Sequence, residues 1–399
     1  MSTTRTAIIS GGGIGGLTAA LCLVKKGWAV QVLERAPVLE AVGAGLQLSP
    51  NAVRVLDALG LGEEIREVAF EPEALELRLG KSGQGIFRIP TGAAAHLRWG
   101  APYLHIHRAD LISVLSDALR TSARAETCLG TSVTGYVQTG NDPQLHLKAS
   151  APLTANLVIG ADGLHSTIRT QMHGPDRPRF TGNLAWRAVV PMDRLENPPP
   201  PTACVWAGRG RHAVTYRLRG GKLVNFVGVV ERQDWKGESW TEKGKCEEAL
   251  EDFDNWAAPV TELISKADTH YRWALFDRPP LRRWHDGAVT LLGDACHPML
   301  PFMAQGAAMA IEDAWVLAEK VTEADAVEAG IVRYEAIRKP RTSRLQAASL
   351  GNMSTFHRKT LLGQVATYAP MWLAGHILPG FVRSRQDWIY GYDVTAMDQ

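Results

Sequence analysis

The first 34 residues alternate between short apolar runs and one amphipathic stretch. Thr6–Ser10 is apolar and β-branched, as is typical of a buried parallel strand. Leu17–Lys26 carries apolar residues at helical intervals, and Val30–Leu33 is a second apolar run that ends on Glu34. The pattern therefore predicts a strand, a helix and a second strand, which is the usual start of an α/β fold.

Similar patterns continue to about Gly174. Ser49 and Pro50 are typical of an N-cap and a first helical residue, so they predict a helix that ends at Gly60. Another helix is predicted over Ala109–Leu119. Further apolar runs predict strands at Leu75–Leu79, Gly85–Ile89, Leu104–His107, Val133–Val137, Leu145–Leu147 and Leu157–Ile159.

After Gly174 several strand-like runs follow one another, which predicts an antiparallel sheet with its own core. The runs are Leu184–Val190, Ala203–Trp206, His212–Leu218 and Leu223–Val230. A helix is predicted around Cys246–Trp256. The α/β pattern then returns with a strand at Ala288–Leu292 and a helix at Ala307–Lys320, and amphipathic helix follows.

The predicted class is therefore α/β, with a Rossmann-like dinucleotide-binding domain interrupted by an antiparallel-sheet substrate domain and followed by C-terminal helices. The dinucleotide-binding domain is predicted to be discontinuous and to comprise residues 1–70, 101–174 and 285–345. The inserted domain is predicted to comprise residues 71–100 and 175–284. Residues 346–399 are predicted to form a separate C-terminal helical segment.

The turn after the first strand contains the spacing G-x-G-x-x-G. Gly11 permits a tight turn, Gly13 lets backbone N–H groups approach a pyrophosphate, and Gly16 lets the helix pack closely on the strand. Glu34 follows at the end of the second strand, where a carboxylate can accept hydrogen bonds from a ribose 2′-hydroxyl. A carboxylate disfavours a 2′-phosphate at this place. The N-terminal unit is therefore predicted to bind FAD or NAD rather than NADP.

Composition excludes several classes of protein. The chain has 399 residues and a formal net charge of +2, which argues against nucleic acid as a partner. The five cysteines show no C-x-x-C and no metal-ligand spacing, so we expect reduced thiols, no metal centre and a cytoplasmic location. We expect no membrane span because no apolar run approaches about 18 residues. Met1 lies too close to the first strand for a signal peptide.

Three glycine-bearing loops each follow a predicted buried strand. They are Gly11–Gly16, Gly160–Gly163 and Gly293–Asp294. Ligands of doubly wound sheets lie at the carboxyl ends of the strands, so the three loops could surround one long cofactor. The alternative is that the second and third loops are ordinary turns.

Four longer motifs resemble the single-component FAD-dependent aromatic hydroxylases. Gly160–Arg169, with the sequence GADGLHSTIR, resembles their D-G motif, and Gly293–Asp313 resembles their second FAD motif. His107–Leu111 resembles the H-R-x-x-L before their flavin-contacting helix, and Gly43–Leu59 resembles the segment that follows their Rossmann unit. Within this family the chain most resembles the salicylate and 3-hydroxybenzoate hydroxylases, with 6-hydroxynicotinate hydroxylase nearby.

The resemblance implies an FAD-dependent, NAD(P)H-using monooxygenase that hydroxylates a small aromatic acid or phenol through a flavin C4a-hydroperoxide, with O2 as co-substrate. The single Rossmann unit implies that NADH or NADPH binds only transiently. One alternative is a hydroxylase of an N-heterocycle such as a hydroxynicotinate. Another is a related FAD dehydrogenase or oxidase, or a dinucleotide-binding protein without turnover. A monomer or homodimer is expected, and decarboxylation is left open.

The resemblance also assigns residues to the cofactor. Those that would contact FAD are Gly11, Gly13, Gly15, Gly16, Glu34, Arg35, Arg108, Asp162, Asp294, Gln305, Gly306 and Ala307. Physical chemistry supports the last of these independently. A helix that begins near Ala307 would direct its positive end at N1 and C2=O of the flavin, where charge accumulates on reduction.

His212 and Tyr216 match the catalytic histidine and substrate-contacting tyrosine of the hydroxybenzoate and hydroxynicotinate hydroxylases. Four residues apart on a strand, they lie on the same face, and a histidine has a suitable pKa for a general base. The alternative is that His212 is structural. Gln47, Pro301 and Phe302 are the other expected substrate contacts, although relatives have different residues there. Four arginines could bind a carboxylate or be exposed strand charges: Arg187, Arg209, Arg211 and Arg217.

Overall fold

The structure is a computed structural model that describes residues 4–39, 45–140, 142–176, 178–232 and 242–397. The first two residues of the predicted segment 43–59 and residues 233–241 of the predicted inserted domain lie outside these ranges.

The strands are β1 (Thr6–Ser10), β2 (Ala29–Leu33), β3 (Gly45–Leu48), β4 (Ala74–Leu79), β5 (Gly85–Pro90), β6 (Leu104–His107), β7 (Ala125–Cys128), β8 (Val133–Thr139), β9 (Asp142–Leu147), β10 (Leu153–Thr154), β11 (Leu157–Gly160), β12 (Arg179–Pro191), β13 (Ala203–Gly208), β14 (Arg211–Leu218), β15 (Leu223–Glu231), β16 (Glu242–Gly244), β17 (His270–Asp277), β18 (His285–Asp286) and β19 (Val289–Leu291).

The helices are α1 (Ile14–Lys25), α2 (Pro50–Ala58), α3 (Gly62–Val68), α4 (Ala93–Trp99), α5 (Arg108–Arg120), α6 (Thr167–His173), α7 (Cys246–Asp252), α8 (Ala258–Lys266), α9 (Gly306–Glu323), α10 (Val327–Phe356), α11 (Leu361–Ile377), α12 (Pro379–Ser384) and α13 (Asp387–Tyr390). Short 3-10 turns include Gly293–Ala295 and Pro301–Met303. Within the described ranges, no helix combines the length and the apolar character that a bilayer crossing requires.

The N-terminal unit is built on a six-stranded sheet with the order β18-β19-β11-β1-β2-β7. All pairs are parallel except β18 with β19 at one edge. β1, α1 and β2 form the predicted βαβ unit, and α1 packs on these strands and contacts helices α5 and α9. The α/β class is therefore confirmed. The parallel arrangement places the carboxyl ends of β1, β2 and β11 at one edge of the sheet.

A second, eight-stranded sheet has the order β16-β17-β12-β15-β14-β13-β4-β5. Its pairs are antiparallel except β13 with β4, so the early strands β4 and β5 join the sheet formed by later residues. One face of this sheet packs on α7 and α8 through Trp186, Phe226, Phe253 and Ile264. We call the opposite face, which carries Ala185, Val229 and Trp273, the inner face.

The inner face packs against the segment that leads into α9. Leu300 and Phe302 form one apolar cluster with the side chains of β12, β15 and β17, and Phe356 at the end of α10 packs on the same cluster. Alternation along a strand then decides which side chains point toward this contact and which point toward α7 and α8.

One predicted helix is wrong in extent. The segment Cys246–Trp256 does not form a single helix, because α7 ends at Asp252 and α8 begins at Ala258. Asn255 adopts a left-handed φ of 57° in the turn between them, a conformation that asparagine tolerates better than most residues. Pro259, in the first turn of α8, then favours a new helix start.

Candidate active site

The glycine turn after β1 has the geometry that a pyrophosphate requires. Gly11 has a φ of 112°, which strains any residue with a side chain. A Cβ atom on Gly16 would lie 2.0 Å from the carbonyl oxygen of Gly11, so the helix can approach the strand only because this position is glycine. Gly13 is the N-cap of α1, and the space beside its Cα is open. The uncapped N–H groups of α1 therefore face an open cradle of the kind that binds phosphate.

The side-chain position of Gly15 points toward α9 and not toward this cradle. A Cβ atom at Gly15 would lie 2.7 Å from Cδ2 of Leu292 and 3.2 Å from Cβ of Ala310. The absence of a side chain at Gly15 thus lets α1 lie close to α9. Only the backbone of Gly15 is left for a phosphate contact.

Glu34 is fixed at the end of β2 by the backbone of its neighbours. Its Oε2 accepts a hydrogen bond from Gly12 N at 2.8 Å, and its Oε1 accepts one from Ala36 N at 2.8 Å. Each carboxylate oxygen can accept a further hydrogen bond. The carboxylate is therefore held beside the glycine turn in a position that suits a ribose hydroxyl. Arg35, the next residue, is exposed.

Asp162, in the loop after β11, has one oxygen engaged and one free. Its Oδ2 accepts a hydrogen bond from Thr167 N at 2.8 Å at the start of α6. Its Oδ1 is buried and, among the described residues, has no partner. A buried acceptor without a partner is costly, so this oxygen suits a ligand hydroxyl. Asp294 is exposed in the 3-10 turn after β19, and its Oδ1 would lie 3.9 Å from a Cβ atom at Gly306.

Side-chain hydrogen bonds to the start of α2 fix the turn before α9. The side chain of Gln305 is buried, and its Nε2 donates to Ser49 Oγ at 3.0 Å. Its Oε1 accepts a hydrogen bond from Asn51 Nδ2 at 3.3 Å. Ala304 adopts a φ of 51°, and α9 starts at Gly306 without a side-chain cap. The first N–H groups of α9, including those of Gly306 and Ala307, are therefore left for a ligand.

A buried cluster of charges, which the sequence analysis did not single out, anchors the other side of α9. Nε of Arg338 lies 2.8 Å from Oδ1 of Asp313, and its Nη1 contacts Glu312. Nε of Arg341 lies 2.8 Å from Oε2 of Glu312, and Nε2 of His297 lies 2.5 Å from Oδ2 of Asp313. Burial opposes ionisation of Asp313, but His297 and Arg338 hold its pKa below the ordinary value. The cluster fixes α9 to α10.

His212 lies on the inner face of the eight-stranded sheet and is 1% exposed. Its ring packs on Phe302 and Phe356, with centroid distances of 5.4 and 5.2 Å. Its Nδ1 lies 2.7 Å from Nε2 of His357. Burial, together with His357, lowers the pKa of His212 well below its ordinary value, so the ring is neutral at neutral pH.

Tyr216 lies on the same face as His212, next to the N-terminal unit. Its ring centroid is 4.9 Å from that of His105, and it lies against the backbone of Gly45. Burial raises the pKa of Tyr216, so its hydroxyl stays protonated and can donate. Gln47 is on the adjacent strand β3, where its Oε1 accepts a hydrogen bond from the hydroxyl of Tyr103 at 2.7 Å. Gln47 also pairs with His105 in the register of β3 with β6, so the structure brings Gln47 and Tyr216 to the same histidine.

Arg187 is the arginine that shares the inner face. The pairings Arg187–Val227–Val214, Ala185–Val229–His212 and Val189–Asn225–Tyr216 run across β12, β15 and β14. The row that starts at Arg187 therefore lies between those of His212 and Tyr216. The other three candidates make backbone contacts elsewhere: Arg209 to Lys359, Arg211 to Asp252 and Arg217 to Pro199.

The guanidinium of Arg187 is a buried charge without a carboxylate partner among the described residues. The residue is 7% exposed, and its Nε is buried with no hydrogen bond. The group lies over the rings of Tyr271 and Trp273, at 5.3 and 5.5 Å from their centroids. Burial lowers its pKa. The sequence alone could have shown that Arg211 and Arg217 do not share a face with His212. Side chains alternate along a strand, and both arginines lie an odd number of residues from His212.

The remaining predicted residues lie at the edge of this region. Phe302 is buried against His212, whereas Pro301 is exposed beside it. Pro301 and Asp294 line a cleft of about 60 Å³ between the 3-10 turns and β17. Arg108 is the exposed first residue of α5. Within the described ranges no group of three histidine, cysteine or acidic side chains is arranged to bind a metal.

Comparison with protein families matches residues 3–349 to the FAD binding domain family. The chain is 38% identical over 361 residues to 3-amino-4-hydroxybenzoate 2-monooxygenase PtnB3 of Streptomyces platensis, covering 90% of each chain. It is 40% identical over 347 residues to 3-hydroxybenzoate 6-hydroxylase 1 of Aquipseudomonas alcaligenes, covering 86% and 87%. It is 38% identical over 359 residues to 6-hydroxynicotinate 3-monooxygenase of Pseudomonas fluorescens, covering 88% and 92%.

Solved structures show the same fold. The structure of Klebsiella pneumoniae HpxO complexed with FAD and uric acid superimposes with a TM-score of 0.84 at 25% identity, covering 95% of this chain and 96% of that one. A salicylate hydroxylase substrate complex superimposes with a TM-score of 0.81 at 26% identity, covering 99% and 97%.

Proposed function

This chain belongs to the family of FAD-dependent aromatic hydroxylases, and from that premise we propose that its substrate is a small aromatic acid with a phenolic hydroxyl group. As a member of this family it is an FAD-dependent monooxygenase. The relatives named above act on 3-hydroxybenzoate, 3-amino-4-hydroxybenzoate and 6-hydroxynicotinate, which all combine a carboxylate with a hydroxyl group on a small ring.

One observation carries the proposal. The inner face presents a neutral imidazole, a protonated phenol and an unpaired buried guanidinium on neighbouring rows of the sheet: His212, Tyr216 and Arg187. A hydroxybenzoate offers the complementary groups, since its hydroxyl can donate to the imidazole and its carboxylate can neutralise the guanidinium. An anionic substrate therefore supplies the counterion that the described residues do not.

The residues of the N-terminal unit fit FAD. The cradle at Gly13, the fixed carboxylate of Glu34 and the free oxygen of Asp162 suit the pyrophosphate and hydroxyl groups of its extended part. The N-terminus of α9 suits the electron-rich edge of a reduced flavin. When bound and reduced, FAD supplies the activation of O2 that the side chains themselves cannot provide. We propose that Arg35, Arg108 and Asp294 complete this site from the surface.

The protein's own contribution is orientation and proton handling. In the proposed site, Nε2 of His212 accepts the phenolic proton, which makes the ring more electron-rich, and Tyr216 donates a hydrogen bond to the substrate. Arg187 pairs with the carboxylate, and its charge favours the deprotonated ring. Phe302 and Phe356 pack on His212 and exclude water from it. Gln47 and Pro301 would border the substrate.

The overall reaction balances with the remaining partners. One oxygen atom of O2 enters a ring C–H bond to give a hydroxyl group and the other leaves as water, while NADH or NADPH supplies two electrons and one proton and solvent supplies a second proton. The donor is proposed to bind transiently, because the chain has one G-x-G-x-x-G unit. We further propose a cytoplasmic monomer or homodimer.

The test is consumption of NADH and of NADPH by the FAD-loaded protein in air. The panel comprises 3-hydroxybenzoate, 3-amino-4-hydroxybenzoate, salicylate, 6-hydroxynicotinate and uric acid, with product mass and peroxide measured in the same samples. We expect a product that gains one oxygen, with or without loss of CO2, for one of the benzoates. The matched methyl ester should react far more slowly, because it lacks the carboxylate.

Each other outcome overturns a specific part of the proposal. An oxygenated product from uric acid or 6-hydroxynicotinate alone would replace the benzoate by an N-heterocycle. Peroxide without oxygenated product across the panel would favour an oxidase. Equal rates for a benzoate and its methyl ester would remove Arg187 from carboxylate binding.

A further inference from the structure

We propose that His357 and Glu231 form a proton relay that connects His212 to solvent. The proposal rests on the function proposed above, in which His212 accepts the phenolic proton. His357 and Glu231 would not touch the substrate, so they are positioning residues that act through His212.

The four side chains form a continuous line from the inner face to the surface. Nδ1 of His212 lies 2.7 Å from Nε2 of His357. Nδ1 of His357 is buried without a hydrogen-bond partner among the described residues and lies 3.5 Å from Oε1 of Glu231, an ion-pair contact. Oε2 of Glu231 lies 2.7 Å from Nζ of Lys359. The side chains of His212 and His357 are buried, that of Glu231 is 34% exposed and that of Lys359 is 72% exposed. Burial therefore ends at Glu231.

The strand β15 and the C-terminus of α10 hold the side chains of this line in place. Val229 and Glu231 lie two residues apart on β15, so Glu231 faces the same side as His212, which pairs with Val229. His357 is the C-cap of α10, and its backbone N–H donates to Met353 O at 3.1 Å. Arg209 reaches the same turn, where its Nε donates to the carbonyl of Lys359 at 2.7 Å. The charged groups around the line are thus Glu231, Lys359 and Arg209.

The neighbouring groups favour one pair of tautomers. The carboxylate of Glu231, 3.5 Å from Nδ1 of His357, can only accept, so it favours a hydrogen on this Nδ1 and leaves Nε2 of His357 as an acceptor. Nδ1 of His212 must then donate to Nε2 of His357, which leaves the lone pair of His212 on Nε2. Among the described residues this Nε2 has no hydrogen-bond partner. The lone pair is therefore available at the nitrogen that the proposed reaction requires.

This arrangement solves a physical problem of the proposed base. His212 is surrounded by Phe302, Phe356 and a second imidazole, so an imidazolium there has no buried counterion and is unfavourable. Burial lowers the pKa of His357 to about 4, but Glu231 and the C-terminus of α10 favour its charged form and offset part of this cost, which nothing does at His212. A proton that enters at His212 would therefore leave through His357.

The relay conserves protons at every step. The phenolic O–H bond breaks and an N–H bond forms at Nε2 of His212, while the hydrogen on its Nδ1 moves to Nε2 of His357. The hydrogen on Nδ1 of His357 moves to the carboxylate of Glu231, across a contact that must shorten from 3.5 Å for the transfer, and Glu231 releases it to water. The net change is one proton delivered to solvent for each phenolate formed, and no oxidant or reductant is involved.

The experiment measures this proton directly, without turnover. The FAD-loaded protein is mixed in the absence of O2 and electron donor with the phenolic substrate found active in the panel above, and a pH-indicator dye reports proton release in a stopped-flow instrument. Phenolate formation is followed by its absorbance in the same mixing. The variants are His357→Ala, Glu231→Gln and His212→Gln. His96→Ala is the matched control, because His96 lies 3.7 Å from Glu71 on an exposed surface.

We expect the wild type and His96→Ala to release one proton per bound substrate at the same rate. His357→Ala should slow proton release by about tenfold or more. Added imidazole, at a concentration on the order of 50 mM, should restore the rate, because imidazole fits the space left by the side chain. Glu231→Gln should slow release without rescue. A purely structural role of His357 would not give rescue by a proton carrier.

Two outcomes overturn the relay, and they differ from failure of the proposed function. Release by His357→Ala at the wild-type rate, while His212→Gln releases no proton, would show that His212 is the base and that the relay is wrong. Slow release by His357→Ala that imidazole does not restore would assign His357 a structural role. If no proton is released by the wild type, or if His212→Gln matches it, then the base itself has been misassigned.

Discussion

The ring of Tyr216 lies against the backbone of Gly45, so that a Cβ atom at residue 45 would be 2.4 Å from Cε2 of the tyrosine. The backbone N–H of Gly45 also donates to Oδ1 of Asn225 at 3.0 Å. These contacts join β3 to the inner face of the eight-stranded sheet. A glycine that precedes the helix α2 therefore sets the position of a proposed substrate residue about 170 positions later, through close packing rather than chain connectivity.

Gly45→Ala should displace Tyr216 and weaken substrate binding while FAD stays bound. The methyl group cannot be placed without moving the tyrosine ring, and a shift of about 1 Å at a reacting site can cost up to about 100-fold in rate. The measurement is kcat/KM together with the flavin absorbance of the purified variant. Gly85→Ala is the control, since the space around Gly85 is open. Unchanged kcat/KM for Gly45→Ala would contradict the assignment of Tyr216.

His212→Ala should retain FAD but slow hydroxylation by about 10²–10⁴-fold at saturating substrate, the usual contribution of a general base. The ring of His212 contacts Phe302, Phe356 and His357, none of which is among the proposed FAD contacts, so its removal should leave FAD bound. Single-turnover kinetics and the flavin spectrum separate the two effects. A wild-type rate in the variant would exclude His212 as the base.

Arg187→Met should raise KM for aromatic acids by about 10- to 100-fold, because hydrogen bonds to a charged group contribute about 1.5–3 kcal/mol. The same variant should bind a phenol without a carboxylate as well as the wild type does. Arg217→Met is the matched control, because Arg217 contacts the carbonyl of Pro199 on the other side of the sheet. Equal losses for acids and neutral phenols would show that Arg187 is structural.

Arg338→Met should destabilise the protein strongly, because Glu312 and Asp313 are both buried and each loses one of its two cationic partners. Removing one partner of a buried pair typically costs about 3–5 kcal/mol. Arg194→Met is the control: the exposed pair of Arg194 with Asp268 should contribute about 0–1 kcal/mol. Denaturant unfolding measures both. Similar unfolding free energies for the two variants would mean that the buried cluster does not anchor α9.

The buried histidines should make the protein less stable below about pH 6.5. Burial lowers the pKa of His105 to about 3, whereas an unfolded histidine has a pKa near 6.5. Between these values the unfolded state binds more protons, so the free energy of unfolding falls as the pH is lowered, by about 1.4 kcal/mol per pH unit for each such histidine.

The measurement is urea unfolding of the wild type and His105→Gln at pH 7.5, 6 and 5. His105→Gln should have the shallower pH dependence, because it removes one of the protons taken up on unfolding. His96→Gln, which changes an exposed histidine, should keep the wild-type slope. Parallel pH profiles for the wild type and His105→Gln would contradict the buried neutral state of His105.

Much of the N-terminal unit could be predicted because its signals are local. The tight turn at Gly11, the start of α1 near Gly13 and the carboxylate at Glu34 follow from backbone freedom and from strand and helix periods within 30 residues. The resemblance of the motifs then gave the family, which the comparisons confirm. Boundaries were less accurate where a single residue ends a helix, as Asn255 shows between α7 and α8.

The arrangement of the site depended on contacts between distant residues. The sequence placed His212 and Tyr216 on one face, because side chains alternate along a strand, but it did not identify His357, which lies 145 residues from His212 along the chain. From the sequence, Arg187 was also only one of four arginines that could bind a carboxylate. The burial that distinguishes it depends on which face of the sheet the rest of the chain covers. Local spacing determines a turn, a helix or a strand from neighbouring residues, whereas the surroundings of a buried charge are determined only when strands pair in one register and α10 packs across them.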